Sequence, residues 1–135
     1  MDLECEKRFL LRMGAVDERI AKIDERVLAL ALGSFSAVGA DKTERVYEAI
    51  LRLTECKKRL LRYRALVEEF YLRLPKKTAE QARRIFRGES VAEICKSLSV
   101  SENACYSAKR RALIAFRRFL SERNLQAESL RLAVG

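Results

Sequence analysis

Through most of this chain apolar residues recur every three or four positions, the period of an α-helix that turns one face inward. The first run is Phe9, Met13, Val16, Ile20, Ile23, Val27 and Leu30. Its alternating steps of four and three make an a/d heptad seam, which suits a helix lying along a partner helix. Gly14 falls inside that run, at a cost of roughly 1 kcal/mol relative to alanine. The segment from Gly33 to Ala40 breaks the period and reads as a loop. A second helix is expected from Asp41, which with Glu44 forms a capping box, two residues that satisfy each other's free backbone N–H groups. Its seam is Val46, Ala49, Leu53, Cys56, Leu60, Tyr63, Val67, Phe70 and Leu74, broadened by Ile50, Leu61, Leu66 and Tyr71. Two seams joined by a short loop predict an antiparallel, coiled-coil-like hairpin. Pro75 disfavours the helical conformation at Leu74 and sets the expected boundary.

Beyond Pro75 the elements shorten. Thr78 and Gln81 read as another capping box, opening a helix through about Arg87 with Ala79, Ala82, Ile85 and Phe86 turned inward. Gly88 is placed to end it. Ser90 and Glu93 cap the next helix, whose apolar face is Val91, Ile94, Cys95 and Leu98. Ser99-Val100-Ser101 breaks the pattern, and Ser101 is placed to N-cap a last helix running toward Arg123. That helix is expected to bury Cys105, Ala108, Ala112, Leu113 and Phe116. Residues past Asn124 lack aromatic anchors and are expected to fray. The expected architecture is all-α: a helical hairpin over residues 1–74 for bracing or oligomerisation, a three-helix helix-turn-helix module over 75–124, and a flexible tail over 125–135.

Composition agrees with that reading. Among 135 residues there are a single proline, five glycines and no tryptophan, while residues that favour helices dominate. No apolar run reaches the length of a membrane span, and Met1 is followed by charged residues rather than a secretion signal. A soluble, intracellular protein is expected. The four cysteines form no CxxC pair and there is no histidine, so zinc is not expected and reduced thiols are. Nor is there a nucleotide-binding glycine loop; neither enzymatic activity nor a cofactor is expected.

Charge sharpens the picture because it is uneven. Residues 1–75 are nearly balanced, whereas residues 76–124 hold 12 Lys/Arg against 5 Asp/Glu. A basic excess over a helix-turn-helix pattern is the footprint expected for double-stranded DNA. On the last helix Asn103, Ser107 and Arg110 are spaced four and three apart and share one face. Asn matches the N6/N7 edge of adenine and Arg the O6/N7 edge of guanine. Glu102, Asn103, Tyr106, Ser107 and Arg110 are therefore the expected base-reading residues. Ser101, Lys109, Arg111, Arg117 and Arg118, with Arg83, Arg84 and Arg87 from the preceding helix, are the expected phosphate contacts.

These residues also resemble a known family. Leu74-Pro75, the turn Gly88-Glu89-Ser90, Glu93-Ile94, the turn Ser99–Ser101, and the onward spacing to Cys105, Ala112-Leu113 and Phe116 resemble the fourth, DNA-binding region of bacterial sigma factors. Over nearly the whole chain the pattern is similar to ArpU-type late-gene regulators of phages and mobile elements of Firmicutes, where Cys105-Tyr106 stands in place of a frequent Val-Tyr. The resemblance implies a transcription regulator of phage or mobile-element type, cytoplasmic and nucleoid-associated in a bacterial host cell. Sigma factors commonly place Arg, Glu and Gln where this chain has Glu102, Asn103 and Ser107, so an ordinary promoter −35 element is not the expected target. Two other classes fit the pattern: a helical adaptor that binds RNA polymerase or another protein, and a packaging protein similar to a terminase small subunit. A homodimer or higher oligomer through the N-terminal helices would give DNA half-sites about one helical turn apart.

Overall fold

The computed structural model describes residues 2–34 and 40–130, and it is all-helical. Six α-helices follow one another: α1 (Glu4–Met13), α2 (Val16–Ser34), α3 (Ala40–Arg73), α4 (Lys76–Phe86), α5 (Val91–Leu98) and α6 (Glu102–Glu122). A short 3-10 helix, Ala127–Ser129, closes the described chain. Among the described residues no helix is long and apolar enough to cross a membrane.

These residues group into two compact units. One contains residues 2–15 with 64–130; the other contains residues 16–34 with 40–63. α3 ends at Arg73, just before Pro75, as the proline dictates. The units, however, divide at Ala15/Val16 and within α3 at Tyr63/Arg64, not at the Leu74-Pro75 boundary expected from the sequence.

The first unit is built around aromatic rings. Phe9 of α1, Phe70 of α3, and Phe116 and Phe119 of α6 are all buried. Phe116 lies at the centre, 5.7 Å from the Phe9 ring and 4.9 Å from that of Phe70. α4, α5 and α6 pack on one another, and α1 packs on α4, on α6 and on the 3-10 helix. Because the aromatic cluster draws on α1, the end of α3 and α6, the three-helix module shares one core with its neighbours.

Three sequence expectations are corrected here. The run from Phe9 to Leu30 is not one helix: α1 stops at Met13 and α2 starts at Val16. Gly14 caps α1 at the break, where the chain meets the end of α4. A Cβ there would sit 1.9 Å from the Phe86 carbonyl oxygen at the end of α4, so only glycine admits that approach. Thr78 and Gln81 do not open a helix. α4 begins three residues earlier than that cap predicts, at Lys76 after Pro75, whose fixed φ suits a helix entry, and no side chain caps it. Part of the expected tail, Leu125 to Leu130, is packed: Ala127 is buried and its short helix lies against α1. Residues 131–135, the rest of that expected tail, lie outside the described residues, as does most of the loop expected from Gly33 to Ala40.

In the second unit Ile20 and Ile23 of α2 and Leu60 of α3 are buried. Lys57 Nζ donates to Asp24 Oδ1 at 2.6 Å, tying α3 to α2. On the same two helices Leu28, Leu32, Tyr47 and Leu51 remain exposed.

Candidate nucleic-acid interface

The candidate surface begins with how the chain leaves α4 and enters α6. Gly88, at φ +92°, takes the left-handed conformation that ends α4. The Glu89 N–H returns to the Arg84 carbonyl and the Gly88 N–H to that of Ile85. Ser90 then caps α5 by accepting from the Glu93 N–H at 3.2 Å. α5 ends at Ser99, which is left-handed at φ 53° although it is not glycine. The Val100 N–H bonds back to the Cys95 carbonyl, and the Ser101 hydroxyl accepts from the Ala104 N–H at 3.1 Å to start α6. Both serine caps and the three-residue turn sit where the sequence places them.

α6 divides cleanly into two sides. Cys105, Ala108, Ala112, Leu113 and Phe116 are buried, as expected, and Phe119 and Leu120 extend the same stripe. Ile94 of α5, 0 % exposed, is the most buried side chain of that helix. On the other side Glu102, Asn103, Tyr106, Ser107 and Arg110 are all exposed, Tyr106 by 56 %. Asn103, Ser107 and Arg110 therefore lie together in solvent on one face near the start of a long helix.

The expected phosphate-contacting residues separate into two groups. Arg87, Arg111 and Arg118 are exposed and have no acidic partner among the described residues. Lys109 is half-buried, and desolvation, then the nearby Lys7, holds its ammonium below the usual lysine range. A buried-leaning cation with a like charge beside it gains from an anion. Arg83, Arg84 and Arg117 are already engaged. Arg83 donates to Glu68 at 2.7 Å and lies 4.6 Å over the Tyr71 ring. That hydrogen bond raises its guanidinium pKa further, while burial pushes the Tyr71 phenol well up. Arg84 donates to Glu89 at 2.6 Å and to the Ser97 hydroxyl at 2.8 Å, stapling α4 to α5. Arg117 donates to the Asp2 carbonyl at 2.9 Å and lies 3.9 Å from the buried Glu6. Ser101 spends its oxygen on the helix cap, leaving its hydroxyl hydrogen to donate.

One border of the surface was not foreseen. Asp2, Leu3, Glu4 and Lys7 of the N-terminal segment and Tyr106, Lys109, Arg110 and Leu113 of α6 line a shared groove of roughly 220 Å³. It brings two carboxylates beside Lys109 and Arg110, so the flank of the polar face carries acid as well as base. No local sequence signal marks this, because it follows from α1 docking through Phe9 and Gly14.

No family model matches the chain, and neither does any curated protein or solved structure.

Proposed function

We propose that this protein is a sequence-specific DNA-binding transcription regulator of phage or mobile-element type, whose α6 enters the major groove from Glu102 onward. One observation carries the reading: Asn103, Ser107 and Arg110 share the solvent face of a helix whose opposite face is fixed in a core, directly after a capped three-residue turn. Such a helix is rigid enough to hold donors and acceptors against base edges. Arg87, Lys109, Arg111 and Arg118 supply phosphate contacts around it, and the resemblance of residues 74–116 to sigma-factor DNA-binding regions points the same way.

Selection of bound sites from randomised duplex DNA, followed by affinity measurements across a salt series, tests this. An enriched sequence is expected, and four cations engaged on phosphates give a slope of log affinity against log salt of about −3.6. Asn103→Ala and Arg110→Ala are each expected to cost about 1–3 kcal/mol on the selected site and to relax preference at one base position. No enriched sequence and no salt dependence would falsify the reading.

The exposed Leu28, Leu32, Tyr47 and Leu51 favour a second reading, an adaptor that contacts a protein such as RNA polymerase through the second unit. The double variant Asn103→Ala/Arg110→Ala separates the two. A regulator loses its preferred DNA sequence, whereas an adaptor keeps its protein partner.

A further inference from the structure

Two of the four thiols face each other across the α5–α6 joint. Cys95 Sγ and Cys105 Sγ are 3.6 Å apart, Cys95 half-buried and Cys105 fully buried. Each is on the inner side of its helix, and between them lies the turn Ser99–Ser101. Cys5 and Cys56 are on α1 and α3, and among the described residues neither has a sulfur contact. A disulfide needs its sulfurs at about 2.05 Å, so about 1.6 Å has to close. Cys95 is the less buried thiol, the one to meet a reagent, and Cys105 the sheltered one that completes the exchange.

We propose that Cys95 and Cys105 form a reversible intramolecular disulfide by exchange with a small-molecule disulfide such as oxidised glutathione. In the first step the Cys95 thiolate attacks one sulfur of the reagent; its S–S bond breaks and one glutathione thiolate leaves. In the second, Cys105 attacks the Cys95 sulfur of the mixed disulfide, its proton passes to the departing glutathione thiolate, and the protein S–S bond forms. The protein dithiol is oxidised by two electrons, and one glutathione disulfide is reduced to two glutathione thiols. Burial pushes the Cys105 thiol up, so the half-buried Cys95 is the thiol that reacts first. The product fastens α5 to α6 on the inside of their turn and fixes the angle at which α6 presents its polar face. It makes this joint responsive to thiol redox conditions, whether or not that face meets DNA.

Incubation of the full chain with oxidised glutathione, followed by blocking of free thiols and tryptic mapping, tests the proposal. Cleavage after Arg87, Lys96 and Lys109 puts Cys95 in residues 88–96 and Cys105 in residues 97–109. The two peptides are expected to remain joined, with two hydrogens lost from the intact mass, two thiols still titratable, and full reversal by dithiothreitol. Cys95→Ser is expected to abolish the link, and the double variant Cys5→Ser/Cys56→Ser to retain it. Because Cys95 is not fully buried, the Cys95→Ser variant carries the test if Cys105→Ser fails to fold. A mixed disulfide that persists on Cys95 overturns the proposal. So does a bridge through Cys5 or Cys56, a covalent dimer as the main product, or a Cys95–Cys105 pair that stays reduced while Cys5 reacts.

Discussion

The two compact units solve the same problem with different materials. In the first, four phenylalanines from three segments of the chain meet, and Phe116 is 0 % exposed. In the second, aliphatic seams on α2 and α3 bury Ile20, Ile23 and Leu60 but leave Leu28 60 % exposed. An aromatic cluster fed from distant segments makes each part depend on the others. A seam along long helices distributes its contacts, so individual positions matter less. The candidate surface belongs to the interdependent unit, which suits a face that must hold its side chains in fixed relation.

The largest expected effect follows from that difference. Phe116→Ala removes the ring that Phe9, Phe70 and Phe119 all approach, and should cost about 3–5 kcal/mol. Leu28→Ala on the second unit should change stability by no more than about 0.5 kcal/mol. Urea unfolding of both variants measures the pair. Equal losses would erase the contrast between the units.

Glycine sharpens it further, because each unit has one in a comparable helical setting with opposite surroundings. Gly14→Ala drives a methyl into the Phe86 carbonyl, 1.9 Å from the new carbon, and should destabilise by about 1–3 kcal/mol as α1 is forced off α4. Gly33→Ala meets nothing within 4 Å. It should stabilise by about 0.4–1 kcal/mol through the unfolded chain and helix propensity. Thermal unfolding of the two variants should therefore move in opposite directions. A stabilising Gly14→Ala would mean that α1 is not held against α4.

Those two glycines also show what can be read along a chain. The joint from Ser90 to Ser101 was legible because its signals are local: a serine oxygen reaches an N–H three residues on, and apolar spacing turns Ile94 and Cys105 inward. The exposed set Glu102, Asn103, Tyr106, Ser107 and Arg110 follows from the same periodicity. Gly14 looked like a flaw in a heptad because the atom that requires it, the Phe86 carbonyl oxygen, is more than seventy residues away in sequence. Thr78 and Gln81 match a capping box in spacing alone, while Pro75 starts the helix earlier and the Gln81 side chain is buried with its oxygen unpaired. The commitments of Arg83 to Glu68, Arg84 to Glu89 and Arg117 to Asp2 likewise depend on which helices meet. Periodicity reports which face is inward; it does not report what that face touches.

The smallest effect probes whether the second unit needs any specific polar contact at all. Lys57 and Asp24 join α3 to α2 at 2.6 Å, but the Asp24 side chain is 52 % exposed. Water and salt screen such a pair, and ordering two side chains opposes it. A double-mutant cycle with Lys57→Met and Asp24→Asn should give a coupling of about 0.2–1 kcal/mol that shrinks as salt rises. Each single change should also cost little, because neither partner becomes a buried, uncompensated charge. A coupling above that range, or one insensitive to salt, would mean that this pair is shielded from solvent. The second unit would then rest on a specific anchor, as the first rests on Phe116, and the difference between them would be one of chemistry and not of how widely the stabilising contacts are spread.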